Sequence, residues 1–511
     1  MTESFRWFHH FREVKTFLEP IDYFSHMADK PYSFLLDSSL PAKGIGRYSF
    51  SGKDPYLVFR SKQNRIEWMT NGKSTCKKGD PLAELRKLLS DYGPKPGERR
   101  ESSVPFLGGA VGYLGYDLCR TIEKLPSRAE DDLGLPDCYF MFVDAVLIFD
   151  HLKKRTYVSA SARARTVQEG KERSRALADR LESDIALAET AIQSAGDPLR
   201  RAKRKFVESG DAPLRSSGLF RSMFHERAYA DLVKRAKAHI LAGDLFEICI
   251  SHRFESEFNG NPFDLYRELR RINPAPFAGF LNFPEVQVVS SSPERFLQVR
   301  KDGRCQSRPI KGTRPRGRTK AEDRSFRREL QTNPKDRAEN LTIVDLVRND
   351  FGKFCRFGSV KVSEPLTIEK YATLYQMVST INGRLAGGRD RFDAIRSSFP
   401  GGSMTGAPKI EAMSIIDSLE PVRRGIYSGS IGYLDYWGNA DLNIVIRTIL
   451  VKNGKAYFQV GGAVMADSDP KTEYLETLAK ARALARSLWN LRAGGASSSS
   501  CATGSVRIRK A

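Results

Sequence analysis

Within residues 429–460, three apolar stretches are divided by turns too short for anything but hairpins. Residues 429–436, 441–451 and 456–460 alternate with Trp437-Gly-Asn439 and Asn453-Gly454. Asn-Gly tolerates the positive φ that tight hairpins demand. Parallel neighbours need a crossover of a dozen or more residues, so such short connections commit the segment to antiparallel sheet. The same signature recurs upstream. Strands are expected at 32–39, 56–60, 140–149, 155–160, 245–254 and 286–291, and a hairpin joins 297–300 to 306–310 around Asp302-Gly303. The glycines of 105–116 suit strand bends, since no Gly-Lys-Ser/Thr follows to make a phosphate loop. Helical periodicity appears at 81–92, 165–195, 225–243, 334–349, 366–381, 407–419 and 470–489. The class is α+β: large mixed or antiparallel sheets in a sandwich-like core, with helices on the outer faces.

The expected organisation is an N-terminal region at 1–165, a charged helix and linker at 166–221, a catalytic region at 222–490 and a disordered tail at 491–511. Residues 196–218 are basic and poor in apolar groups, which marks the linker. No apolar run reaches membrane-spanning length, and the first ten residues lack a signal-peptide core, so a cytoplasmic protein with no membrane partner is expected. Seven cysteines form no Cys-x-x-Cys pair, which indicates neither a disulfide framework nor a zinc site. The net charge of +22 admits two explanations, nucleic acid or a small anionic substrate. It is spread along the chain without a zinc finger, an RNP-type aromatic motif or a basic zipper, so no specific nucleic-acid partner is expected.

The chemistry is expected around Arg308-Pro-Ile-Lys-Gly-Thr-Arg-Pro-Arg-Gly317, which holds three arginines, one lysine and no acid. Nearby guanidinium groups and desolvation would lower the Lys311 pKa and make it a nucleophile. The alternative is a basic surface loop that grips an anion. Asp336 and Glu339, and likewise Glu473 and Glu476, are spaced i,i+3, which puts each pair on one helix face. Two such helices side by side would offer carboxylates to a hard cation such as magnesium; the alternative is ordinary surface charge. Glu294 follows an apolar strand end, where burial would raise its pKa and suit it to general acid work, or where it would merely cap a turn. In 399–408, Ser403 and Thr405 can cap a helix with Pro408 in its first turn, and free amides there bind anions. Arg447, inside a strand, calls for a carboxylate partner unless it faces water from an edge. Gly461-Gly462 ends the next strand, where bare amides can approach a ligand.

These residues resemble the chorismate-utilising enzymes. The resemblance rests on Lys335-Asp-Arg-Ala-Glu-Asn-Leu-Thr-Ile-Val-Asp-Leu-Val-Arg-Asn-Asp350, Phe399 to Pro408, Gly425-Ile-Tyr-Ser-Gly-Ser-Ile-Gly-Tyr433 and Asp467-Ser-Asp-Pro470. It covers 222–490 strongly and reaches the N-terminal half through Leu35-Leu-Asp-Ser38 and 105–116, a region similar to the N-terminal domain of anthranilate synthase component I. Lysine in Pro-Ile-Lys-Gly-Thr resembles the aminodeoxychorismate synthase component I branch; anthranilate synthases typically carry alanine there. The resemblance implies that Lys311 attacks chorismate C2, that Glu294 protonates the departing C4 hydroxyl, and that ammonia then adds at C4. It implies magnesium at Glu339 and Glu476, with Asp336 and Glu473 acting through water. It implies that Arg447 and Tyr427 hold the enolpyruvyl carboxylate and that Ser403, Gly461 and Gly462 complete the anion site. Gln376 occupies a substrate-side position where relatives often carry histidine, and Glu247 stands where many carry glutamine. No glutaminase motif is present, so a separate glutamine amidotransferase subunit is implied as the ammonia source. The product would be 4-amino-4-deoxychorismate, for 4-aminobenzoate and folate. Anthranilate synthase component I is the near alternative, and a non-catalytic, basic nucleic-acid-binding protein the distant one. Asp37 stands where anthranilate synthases usually have glutamate; a buried structural role is expected for it rather than tryptophan feedback.

Overall fold

The computed structural model describes residues 5–40, 45–95, 98, 102–194, 214, 218–371 and 374–499. The N-terminal half supplies β1 (Arg6–Val14), β2 (Ser33–Asp37), β3 (Tyr48–Gly52), β4 (Leu57–Lys62), β5 (Arg65–Thr70), β6 (Lys73–Lys78), β7 (Gly109–Leu114), β8 (Cys138–Val143), β9 (Ala145–Asp150) and β10 (Arg155–Ala164). The C-terminal half supplies β11 (Arg221–Ser222), β12 (Glu247–Glu257), β13 (Phe277–Phe283), β14 (Val286–Ser292), β15 (Arg295–Val299), β16 (Arg304–Arg308), β17 (Ile310–Pro315) and β18 (Lys361–Lys370). It continues with β19 (Leu374–Arg384), β20 (Gly406–Ala407), β21 (Ser430–Asp435), β22 (Ala440–Asn443), β23 (Thr448–Lys452) and β24 (Lys455–Val464). They form two antiparallel sheets. The first runs β1-β10-β9-β3-β2-β13-β14-β23-β24-β12-β11, with β20 beside β12; the second runs β17-β19-β16-β15-β22-β21-β7-β8-β4-β5-β6, with β18 beside β19. Strands of 1–165 and of 222–490 share both sheets, through β2 with β13 and β7 with β21.

Alternation along each strand explains the layers. Val58, Tyr139 and Met141 of the second sheet pack inward against Phe34, Val146, Ile148 and Val288 of the first. Their neighbours Leu57, Phe59, Phe140 and Phe142 face the other way, onto the helix Pro81–Tyr92. Leu35, Leu147, Val158 and Ala160 of the first sheet face the helices Val167–Ser194 and Pro262–Ile272. Both faces of both sheets are therefore buried, at about 1.5–3 kcal/mol for each large apolar side chain. The sandwich with outer helices is as expected.

Four boundaries differ from expectation. Residues 366–381 are not helix but lie in β18 and β19. Their apolar positions at 374, 375, 377, 378 and 381 also satisfy a helical spacing. β-Branched and aromatic side chains and partners on both edges of β19 decide for strand. The apolar run 140–149 is two strands: β8 ends in the second sheet, the chain turns at Asp144, and β9 begins in the first. The run 441–451 divides in the same way between β22 and β23. The last helix, Pro470–Ser499, runs about ten residues beyond the expected 489 into the expected tail. The rest of that tail, 500–511, and most of the expected linker, 195–213 and 215–217, lie outside the described residues. No helix among the described residues is long and apolar enough to cross a membrane. Asp37 is buried and accepts hydrogen bonds from Ser49 (3.1 Å), Tyr266 (2.8 Å) and Arg270 (2.6 Å), which is the structural role expected of it.

Candidate active site

Two crossings between the sheets bring the first pair of functional residues together. The chain passes from β14 to β15 through Pro293-Glu294, and from β22 to β23 through residues 444–447. The Ile444 amide donates to the Glu294 carbonyl (3.0 Å) and the Ser291 amide to the Arg447 carbonyl (3.1 Å), locking the crossings side by side. Arg447 is therefore not inside a strand. It has φ +53°, a left-handed conformation that costs a non-glycine residue about 1–3 kcal/mol. Its guanidinium has no hydrogen-bond or ion-pair partner among the described residues. Burial pulls its pKa below the ordinary value. Glu294 is 4 % exposed, and burial pushes its carboxyl up to about 7 even though Ser403 Oγ donates to it at 2.8 Å. This is the environment expected of a general acid.

Both residues open onto a cavity of about 470 Å³. It is also lined by Lys311, Gln376, Ser403, Tyr427, Gly461 and Gly462. Of the other expected site residues, Asp336, Glu339 and Glu476 line it, while Glu473 lies just behind. Ser403 spends its hydroxyl on Glu294 rather than on a helix cap, and Pro408 is the N-cap of the helix Lys409–Leu419, which has no side-chain cap. Thr405 bonds the carbonyls of Gly401 and Gly402.

The Lys311 environment reverses the expectation from its neighbours in sequence. Arg308 turns to Glu369, Arg316 to Asp323, and Arg314 to Glu329 and Asp336. What faces Lys311 Nζ instead is Glu247 at 2.6 Å and Glu339 at 3.6 Å. Burial alone would depress the lysine pKa, but the two carboxylates outweigh it and hold Lys311 charged, above its ordinary value. Glu247 keeps its other oxygen buried and unpaired.

The acidic pairs do lie on adjacent helices. Pro334–Gly352 carries Asp336 and Glu339, and Pro470–Ser499 carries Glu473 and Glu476. Lys335 bridges them, 2.8 Å from Glu473 and 3.8 Å from Glu339. Burial raises the pKa of Asp336 and Glu339, whereas Lys480 at 2.8 Å holds Glu476 below its ordinary value. No group of three or more His, Cys, Asp or Glu side chains among the described residues converges as a metal cluster, and Lys311 and Lys335 pair with Glu339 and Glu473. Two observations nevertheless fit a hard cation. Glu473 Oε2 is buried without a partner. A Cβ on Gly462 would come within 3.3 Å of that oxygen and 4.0 Å of Glu476 Oε1, so the glycine keeps open the space beside both. Gly461 cannot carry a side chain at all, since its Cβ would meet the Ile250 carbonyl at 2.4 Å.

The Glu476–Lys480 pair has the i,i+4 spacing of a helix salt bridge in the sequence; the Glu247 partner of Lys311 does not show there. Lys335 likewise stands i,i+4 from Glu339, but nothing local links Glu247 to a lysine 64 positions away. Beneath the cavity, Glu420 and Arg424 form a buried pair that also holds Ser251 and the carbonyls of Cys249 and Met404.

A family model described as chorismate binding enzyme matches residues 42–486. The chain is 40 % identical over 488 residues to anthranilate synthase component 1 of Thermus thermophilus, covering 94 % of this chain and 98 % of the relative. It is 36 % identical over 460 residues to aminodeoxychorismate synthase component 1 of Bacillus subtilis, covering 90 % and 92 %. The crystal structure of anthranilate synthase component I from Streptococcus pneumoniae superimposes with a TM-score of 0.69 at 31 % identity, over 88 % of this chain and 93 % of that one.

Proposed function

The chain belongs to the chorismate binding enzyme family, and on that premise we propose that it is an aminodeoxychorismate synthase component I. It would convert chorismate and ammonia to 4-amino-4-deoxychorismate and water. The observation that carries this reading is Lys311, a primary amine only 10 % exposed that faces the same cavity as Glu294 and Arg447.

The unpaired Arg447 guanidinium suits a bidentate grip on the enolpyruvyl carboxylate, with Tyr427 beside it. Ser403 orients the Glu294 carboxyl, which near neutral pH is about half protonated and would donate to the departing C4 hydroxyl. Lys311 must shed a proton before it attacks C2; Glu247, at 2.6 Å, is in reach to take it. Ammonia then forms the C4–N bond as the C2–N bond to Lys311 breaks, so one hard displacement becomes two easier ones. The bare backbone at Gly461 and Gly462 lets the substrate come close, and Gln376 offers a hydrogen bond. Glu339 and Glu476, with Asp336 and Glu473 through water, would hold magnesium, which supplies charge neutralisation for the ring carboxylate. The ammonia would come from a separate glutamine amidotransferase subunit.

A second reading, anthranilate synthase component I, is favoured by the name carried by the Thermus relative and the Streptococcus structure. A product assay decides. Purified protein is given chorismate, magnesium and an ammonium salt at mildly alkaline pH, beside Lys311→Ala, with products identified by mass spectrometry. An aminated product that retains the enolpyruvyl group and collapses in the variant supports the covalent lysine. Anthranilate with released pyruvate moves the chain to the second reading.

A further inference from the structure

The sheets contain an internal repeat. Outward from the centre of the first sheet, β2-β3-β9-β10 on one side corresponds to β13-β14-β23-β24 on the other. In the second sheet β7-β8-β4-β5 corresponds to β21-β22-β15-β16. Each half crosses between sheets at matching points, after β3 and β8 in one half and after β14 and β22 in the other. The outer strands β10 and β24 each lead into a long helix, Val167–Ser194 and Pro470–Ser499. The C-terminal set builds the cavity described above: Glu294 and Arg447 at the crossings, Gly461-Gly462 on β24, Glu476 and Lys480 on the helix.

The N-terminal set encloses a cavity of about 520 Å³ in the corresponding place. Tyr56 stands at its β3–β4 crossing and Asp144 at its β8–β9 crossing. Ser161-Ala162 of β10 take the place of the glycine pair, and Arg173 and Arg180 project from the helix. The charges differ: an acid stands in place of Arg447, and the helix presents arginines alone where its counterpart presents Glu476 paired with Lys480. Trp7, Tyr56, Tyr92 and Tyr436 form the walls, with Trp7 and Tyr436 rings 5.2 Å apart and Tyr56 and Tyr92 rings 5.4 Å apart. Arg163 lies 5.1 Å over the Tyr92 ring. Ser161 Oγ is buried with no partner, and the Ser161 amide donates to the Asp144 carbonyl at 2.7 Å, keeping the two side by side. Burial pushes the Asp144 carboxyl up to about 6, opposed by its own amide and the Arg180 charge.

We propose that this cavity is a second binding site, for a small aromatic molecule bearing both an amine and a carboxylate. Its volume is that of an ordinary ligand site. The rings offer stacking faces, Asp144 and Ser161 receive the amine, and Arg163 and Arg180 receive the carboxylate. A cation alone would be repelled by the arginines, and an anion alone would leave Asp144 unsatisfied. Two sources share this chemistry, an aromatic α-amino acid and a ring-substituted aminobenzoate.

Calorimetric titration of the full chain with L-phenylalanine and, separately, 4-aminobenzoate tests it, with benzoate and benzylamine as single-charge controls. One of the two should bind saturably and at least tenfold more tightly than either control, and the winner identifies the source. Asp144→Asn should weaken that binding at least tenfold. Arg180→Glu, an exposed position where folding is not at stake, should do the same. Chorismate turnover without added ligand should be unchanged in both. The proposal is overturned if neither compound binds saturably, if the controls bind equally well, or if binding survives both substitutions.

Discussion

The Arg447 and Asp144 cavities are built on matching strand connections, yet the charge at the second crossing of each is reversed, a cation in one and an acid in the other. At Arg447 the crossing holds a cation and the neighbouring helix a carboxylate paired with Lys480; at Asp144 the crossing holds an acid and the helix arginines. The strands beside them differ as well, glycines in one and Ser161-Ala162 in the other. The backbone decides that a concavity forms where an apolar run changes sheets. Half a dozen side chains then decide what the concavity is for.

The sharpest break between the two comes from Lys311→Ala. Chorismate amination should fall roughly a thousandfold or more, as when a nucleophile is removed elsewhere, while titrations of the Asp144 cavity are unmoved. Arg447→Gly should come next. Losing the guanidinium should raise KM for chorismate by about 2 kcal/mol or more, roughly thirtyfold. Glycine also relieves the positive φ, so thermal stability should hold or rise; a fall in Tm would show the arginine to be structural instead.

Glu294 gives a graded effect. In the proposed role of general acid it acts when protonated, so kcat/KM should decline about tenfold per pH unit above about 7. Its pKa is raised on folding, so between about 4.5 and 7 the native state binds more protons than the unfolded chain. Stability therefore falls as pH rises through that window and stays low above it. Glu294→Gln should recover up to about 3 kcal/mol at pH 8, read by denaturant unfolding, and little at pH 4. The smallest effect belongs to Gly462→Ala. Its methyl group would crowd Glu473 and Glu476 and should raise the magnesium needed for half-activity severalfold. The matched Ala162→Gly should leave that requirement untouched.

Much of the site was legible because its residues sit in local patterns. The i,i+3 acidic pairs, Gly461-Gly462 and the Glu294 strand end each announce themselves over four or five positions. Burial raises the Glu294 pKa, the direction its strand-end position suggests. The crossings were not legible. In 140–149 and 441–451 the apolar composition is the same on both sides of the break, since both sheets bury both faces, so periodicity gives no sign of where the chain changes sheets. The Lys311 environment was misjudged for a related reason. Its arginine neighbours in sequence diverge to Glu369, Glu329, Asp336 and Asp323, while its true neighbour, Glu247, comes from a distant strand. The internal repeat is one of connectivity, and the side chains at its matched crossings differ.

The pairing of β2 with β13 and of β7 with β21 also has a bearing on synthesis. Each strand of the N-terminal half that lies at the middle of a finished sheet is an open edge until its partner is made. β2 must wait for some 240 further residues before Gly279 can reach Leu36. At ribosomal speeds that is roughly 10–50 s with unpaired backbone on show. A newborn N-terminal half thus carries open strand edges that can template aggregation, and a chaperone would shield them over that span.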